Sequence, residues 1–190
     1  MALDSESRWR LVRLKKAKAV EETSTEPVIR AAIQADLTAV EDIYNYYIKN
    51  SVVTFDLDTM DLQAWRDKFN YLQEQGMPFI VAQSPSGQVL GFAYVAPWRQ
   101  KAAYKKTVEN SIYLRPAATG KRIGTKLLTE LLERCKAAGI KEVVAVMSDK
   151  GAEPSIALHE QFGFKRQGHL AKVGFKFGRW LGVVLMQKSL

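Results

Sequence analysis

The sequence predicts an α/β domain on a mixed, twisted β-sheet flanked by helices. Three observations predict it. Helical and extended patterns alternate along the chain. An early pair of extended segments joined by a tight turn requires antiparallel strands. A later strand–helix–strand step, over residues 108–147, requires a parallel crossover.

With 190 residues, 47% of them apolar and 25% charged, the chain suits one domain with a substantial core. Residues 1–26 read as an appendage: a basic stretch (Arg8 to Lys18), then a polar run closed by Pro27. This arm is expected to be mobile, and residues 27–190 to form a single domain. Asp4 and Glu6, with no long apolar core, argue against a secretory signal.

Val28–Ala31 reads as a short strand. Leu37, Val40, Tyr44, Tyr47 and Ile48 recur at helical spacing, with Asp36 available as a cap. A second amphipathic helix carries Leu62, Trp65, Phe69 and Leu72 on one face, with Asp61 at its start. Phe79–Gln83 and Gln88–Ala96 flank Ser84-Pro85-Ser86-Gly87 as a β-hairpin. Thr107–Arg115 is extended and ends at Pro116. The following helix buries Ile123, Leu127, Leu128, Leu131 and Cys135 and stops at Gly139. Glu142–Met147 is a short apolar strand, Pro154–Gln161 a short helix ended by Gly163, and Phe164–Val173 and Trp180–Lys188 paired strands.

Composition excludes several functions. The longest apolar runs are far too short to span a bilayer, so no membrane partner is expected. One cysteine rules out an internal disulfide framework, and with two histidines it cannot build a closed structural zinc site. The expectation is a cytoplasmic protein without a metal. Charge is unevenly placed: residues 1–95 carry net −3 and residues 96–190 net +11. A basic half suggests an anionic partner, either nucleic acid or a phosphorylated small molecule. No recognisable nucleic-acid motif supports the former.

The segment Thr119-Gly120-Lys121-Arg122-Ile123-Gly124 joins a strand to a helix start, where free N–H groups and the helix dipole favour an anion. It is neither a Walker loop nor a Rossmann fingerprint. Taken alone it reads either as an anion site or as a solvated helix start. Glu109, at the beginning of a strand where charges are depleted, reads either as a rim charge or as a base. His159 reads as a structural histidine or an acid–base group.

The same loop resembles the coenzyme A pyrophosphate loop of the GNAT superfamily of acetyltransferases. Further blocks resemble its phosphinothricin and methionine sulfone or sulfoximine branch: Gly91-Phe92-Ala93-Tyr94, Pro97-Trp98-Arg99, Glu109-Asn110-Ser111-Ile112-Tyr113, Leu158-His159-Glu160-Gln161-Phe162-Gly163-Phe164 and Gly174-Phe175-Lys176-Phe177-Gly178-Arg179-Trp180. The resemblance covers roughly residues 28–190 and implies a GNAT fold with a βαβ acetyl-CoA-binding core.

It implies acetyl transfer from acetyl-CoA to the amino group of a small amino acid analogue, by direct attack in a ternary complex. Glu109 would be the base, and His159 would protonate the leaving thiolate or relay protons. Ile112, Tyr113 and Leu114 would hold the pantetheine arm through their main chain, and Thr119 to Gly124 the pyrophosphate. Arg99 and Lys101 are expected to hold an anionic group of the acceptor, and Phe55, Tyr104 and Phe175 to wall its pocket. A homodimer is implied as well. Alternatives are a polyamine or protein N-terminus as acceptor, or a non-catalytic acyl-CoA-binding domain. Four positions depart from the family pattern: Thr119 replaces an Arg or Gln, Arg122 a glycine, Gly182 an Asp, and no Asn follows Met147.

Overall fold

A computed structural model describes residues 26–190; the arm expected over residues 1–26 lies outside the described residues except for Glu26. Seven strands form one sheet: β1 (Val28–Ala31), β2 (Phe79–Gln83), β3 (Val89–Pro97), β4 (Thr107–Leu114), β5 (Glu142–Ser148), β6 (Lys165–Lys176) and β7 (Arg179–Ser189). Their spatial order is β1-β2-β3-β4-β5-β7-β6. β4 and β5 are parallel and every other neighbouring pair is antiparallel.

Among the described residues four α-helices complete the fold: α1 (Leu37–Asn50), α2 (Leu62–Glu74), α3 (Ile123–Ala137) and α4 (Glu153–Gln161). Helices α1 and α2 cover one face of the sheet. Trp65, Phe69 and Leu72 pack there with Phe79, Val81, Phe92 and Tyr94. Helix α3 covers the other face, with Leu127, Leu128, Leu131 and Cys135 against Ile80, Ala82, Ala93 and Val95. Successive residues of β2 thus enter opposite cores, which is why this antiparallel strand reads as an unbroken apolar run. Burial pushes the Cys135 thiol up to about 12, as suits a core group rather than a nucleophile.

Asp61 caps α2 as its position suggests, accepting from the Ala64 N–H at 2.8 Å. Asp36 does not cap α1. Its carboxylate binds the two terminal guanidinium nitrogens of Arg30 at 2.7 Å and the Ile33 N–H at 2.9 Å. The charged pair outcompetes the cap because a bidentate arginine offers two charge-assisted bonds.

Candidate active site

Parallel pairing of β4 with β5 runs only from Thr107–Glu142 to Glu109–Val144. Beyond it the strands splay around a cleft of about 590 Å³. The Trp98 N–H donates to the Thr107 carbonyl, and this bond fixes the phase of β4. A residue's N–H and C=O share one side of a strand, so Asn110, Ile112 and Leu114 turn theirs away from β3 and toward the gap. The Leu114 carbonyl already accepts from the Tyr47 hydroxyl at 2.7 Å. The Asn110 N–H still meets the Val144 carbonyl at the end of the parallel ladder, and beyond it the main-chain groups of Ile112 and the Leu114 N–H form a bare strand edge inside the cleft.

The mouth of the cleft is the start of α3. Its first intrahelical bond runs from the Lys126 N–H to the Arg122 carbonyl, and no side chain caps the helix. The N–H groups of Ile123, Gly124 and Thr125 are therefore open to an anion. Thr119, Gly120, Arg122, Ile123 and Gly124 all line the cleft, while Lys121 is exposed outside it. Thr119 turns its hydroxyl back onto the Pro116 carbonyl at 2.8 Å. Arg122 adopts the left-handed conformation, φ 58°, at the position where the family pattern has glycine.

Glu109 lines this cleft and also a smaller cavity of about 280 Å³. It is half-buried where the two meet. Burial raises its carboxyl above the usual range, and the Lys68 and Arg99 charges pull it partly back. Tyr44, Thr54, Phe55, Tyr94, Ser111 and Tyr113 line the smaller cavity. The Phe55 ring lies against Gly174, where a Cβ would come within 2.4 Å of it. The Tyr44 hydroxyl donates to Asp56 at 2.6 Å and sits 3.0 Å from the Thr54 hydroxyl, which anchors this wall.

His159 lines the cleft but is buried, 1% exposed. Its Nδ1 lies 2.7 Å from the Ser155 carbonyl and its Nε2 2.9 Å from Asn110 Nδ2. A carbonyl only accepts, so Nδ1 carries the proton. Nε2 is then the acceptor for the Asn110 amide. Burial pushes the imidazole down, outweighing the Ser155 bond, so the ring is neutral at pH 7. The expectation that His159 donates to a departing thiolate meets this constraint: its one proton is committed to Ser155. Asn110 Oδ1 is buried with no partner among the described residues, leaving an acceptor in the cleft wall that awaits a donor.

Four of the five residues expected to hold the acceptor, Arg99, Lys101, Tyr104 and Phe175, line neither cavity. Lys101 and Tyr104 are exposed on the β3–β4 connection, where the 3₁₀ turn Ala102–Tyr104 points them outward. Phe175 pairs in register with Trp180, and the rings meet edge-on at 5.4 Å on the exposed β6–β7 hairpin. Arg99 is exposed and stacks on Trp98 at 5.1 Å, yet its charge reaches Glu109. Sequence reasoning missed Lys68, Tyr94, Ser111 and Asn110. Alternation along β3 marks Tyr94 as sharing a face with Phe92, but only strand register sets it beside Glu109.

No helix among the described residues is long and apolar enough to cross a membrane. The splayed strands, bare strand edge, open helix start and orphan Asn110 oxygen fit a long acyl carrier with an anionic end. The sequence profile of the Acetyltransferase (GNAT) family matches residues 40–164. A phosphinothricin N-acetyltransferase of Alcaligenes faecalis is 35% identical over 162 residues, 85% of this chain and 82% of that protein. An L-methionine sulfoximine/L-methionine sulfone acetyltransferase of Pseudomonas paraeruginosa is 39% identical over 165 residues, 85% of this chain and 94% of its own length. The crystal structure of a GNAT superfamily phosphinothricin acetyltransferase from Sinorhizobium meliloti, in complex with AcCoA, superposes with a TM-score of 0.83. It is 40% identical, covering 87% of this chain and 89% of that one.

Proposed function

The chain belongs to the acetyltransferase (GNAT) family and uses acetyl-CoA, and we propose that it acetylates the amino group of a small amino acid with an oxidised phosphorus or sulfur head. The observation that carries this reading is the position of Glu109, the carboxylate at the junction of the cleft and the smaller cavity. Acetyl-CoA supplies an acetyl group as a thioester. The chain's residues do the rest: the α3 start and the β4 edge hold the carrier, and the smaller cavity holds the acceptor.

An amine attacks only as the free base, so a group at the junction must take its proton. Glu109 fills that role, directly or through water, and its raised pKa makes it a better base than an ordinary carboxylate. His159, through its Nε2, orients the Asn110 carboxamide. Lys68 and Arg99, the two cations acting on Glu109, disfavour a polyamine acceptor and favour one carrying a carboxylate. The apolar side chains exposed along the β6–β7 hairpin and its turn (Leu170, Val173, Phe175, Phe177 and Trp180) support a homodimer. The same reading places the enzyme in the cytoplasm, with no nucleic-acid partner.

The test is thiol release from acetyl-CoA with phosphinothricin, methionine sulfone, common amino acids and a polyamine. Turnover on the oxidised amino acids is expected, and Glu109→Gln should lower kcat by roughly a hundred-fold or more. The acid limb of the wild-type kcat/KM profile should lie above the usual carboxylate value of 4.5 and be absent from the variant. Turnover of the polyamine alone would sink the acceptor class. Acetyl-CoA binding without any turnover would favour a non-catalytic domain.

A further inference from the structure

Tyr94 is 5% exposed, and its ring packs among Trp65, Phe79 and Phe92. Its hydroxyl takes a hydrogen bond from Lys68 Nζ at 2.7 Å. An ammonium has no lone pair, so the phenol oxygen is the acceptor there and its own proton must point elsewhere. No acceptor for that proton exists among the described residues, and Tyr94 lines the smaller cavity. A buried hydroxyl with an uncommitted donor therefore lines the space assigned to the acceptor.

The cation behind it is fixed as well. Lys68 Nζ lies 5.2 Å from the Trp65 ring centroid, and Lys68 has no carboxylate within ion-pairing distance among the described residues. In the β3–β4 ladder Tyr94 stands opposite Ser111 and Ala96 opposite Glu109. Tyr94 and Glu109 are thus diagonal neighbours on one face, about 7–8 Å apart between backbones. That separation suits a small amino acid with its amine at Glu109 and its head at Tyr94.

We propose that Lys68 and Tyr94 form a charge reader that selects acceptors with a negatively charged head, such as a phosphinate, over those with a neutral one, such as a sulfone. The inference rests on the amino acid acceptor proposed above. Either head can accept the Tyr94 O–H. Only the charged head is also attracted by the Lys68 ammonium, which stands directly behind the Tyr94 hydroxyl that lines the cavity. Arg99 remains available for the acceptor's own carboxylate.

Lys68→Met keeps the unbranched stem and helix propensity of the side chain, one atom shorter, and removes its charge. It should lower kcat/KM for phosphinothricin relative to methionine sulfone by roughly ten-fold. Lys68→Arg should recover most of that ratio, and Tyr94→Phe should slow both acceptors. Any effect of Lys68 on the basicity of Glu109 acts on both substrates alike and cancels in the ratio. An unchanged ratio in Lys68→Met, or an equal loss on both acceptors, would overturn the inference while leaving the enzyme's acceptor class intact. If the wild type acetylates neither compound, the acceptor reading falls and the inference with it.

Discussion

Arg122 shows how one residue can hold a backbone conformation against its own preference. It holds φ 58° and ψ 13° immediately before α3, a region where a Cβ crowds the following carbonyl at about 1–2 kcal/mol. The chain accepts that strain because the turn that opens the helix start requires it. Arg122→Gly should relieve it, less the greater entropy that glycine adds to the unfolded chain. A net gain of about 0.5 kcal/mol is expected, seen as a rise of one to two degrees in melting temperature. A fall in melting temperature would show that the guanidinium, not the backbone, matters there. Gly182 departs from the family pattern for a different reason. The Asp149 carboxylate accepts from its N–H at 2.9 Å and meets His169 Nε2 at 3.0 Å. A Cβ on residue 182 would fall 2.5 Å from Asp149 Oδ2, so the Asp149 carboxylate, just beyond β5, takes the space that a side chain at 182 would need.

At the scale of elements, the junction between β1 and α1 depends on a charged clamp. Arg30 binds Asp36 through two nitrogens and Gln83 through Nε at 2.9 Å, tying β1 to its neighbour and to the helix start. Burial opposes ionisation of Asp36, but the bonds from Arg30 and Ile33 prevail and hold its carboxyl below the usual range. Asp36→Asn should destabilise the fold by about 2 kcal/mol at pH 7 in denaturant unfolding. A carboxyl with a lowered pKa contributes stability above its unfolded value of 3.8 and loses it as pH falls through the folded value. The difference between variant and wild type should therefore shrink in acid. The sequence carries the helix faces and the β2–β3 hairpin openly, because Leu62, Trp65, Phe69 and Leu72, or the turn Ser84 to Gly87, encode burial and reversal locally. The Asp36 clamp is not legible in this way, since Arg30 precedes it by six residues and reaches it only after β1 is placed. The candidate site divides similarly. Glu109 and the α3 loop lie in contiguous blocks, whereas Tyr94 and Lys68 meet Glu109 only through strand register and a helix packed across the sheet. Lys101, Tyr104 and Phe175 have the residue types of a pocket wall, and those types serve an exposed turn or hairpin equally well.

At the scale of the whole molecule, the cleft lies where the sheet parts between β4 and β5, and α4 closes one side of it with a buried histidine. That placement links stability to pH. His159 is held neutral, with a folded pKa below its usual 6.5, because burial opposes the charged ring. The unfolded chain therefore binds a proton that the folded chain refuses, and stability falls as pH drops through 6.5 toward the folded value. The slope follows from a group between two elements: protonated Nε2 would face the Asn110 amide donor at 2.9 Å, so the β4–α4 contact must rearrange to accept it. Melting temperature should decline from pH 7.5 to 5.5 well before the carboxylates titrate. His159→Asn should melt lower at pH 7.5 because it loses the Ser155 bond and part of the ring packing on Phe164. Its curve should nevertheless be flatter across that window. Parallel curves for variant and wild type would mean that the histidine titrates freely in the folded protein, and that the cleft wall between β4 and α4 opens more readily than its burial indicates.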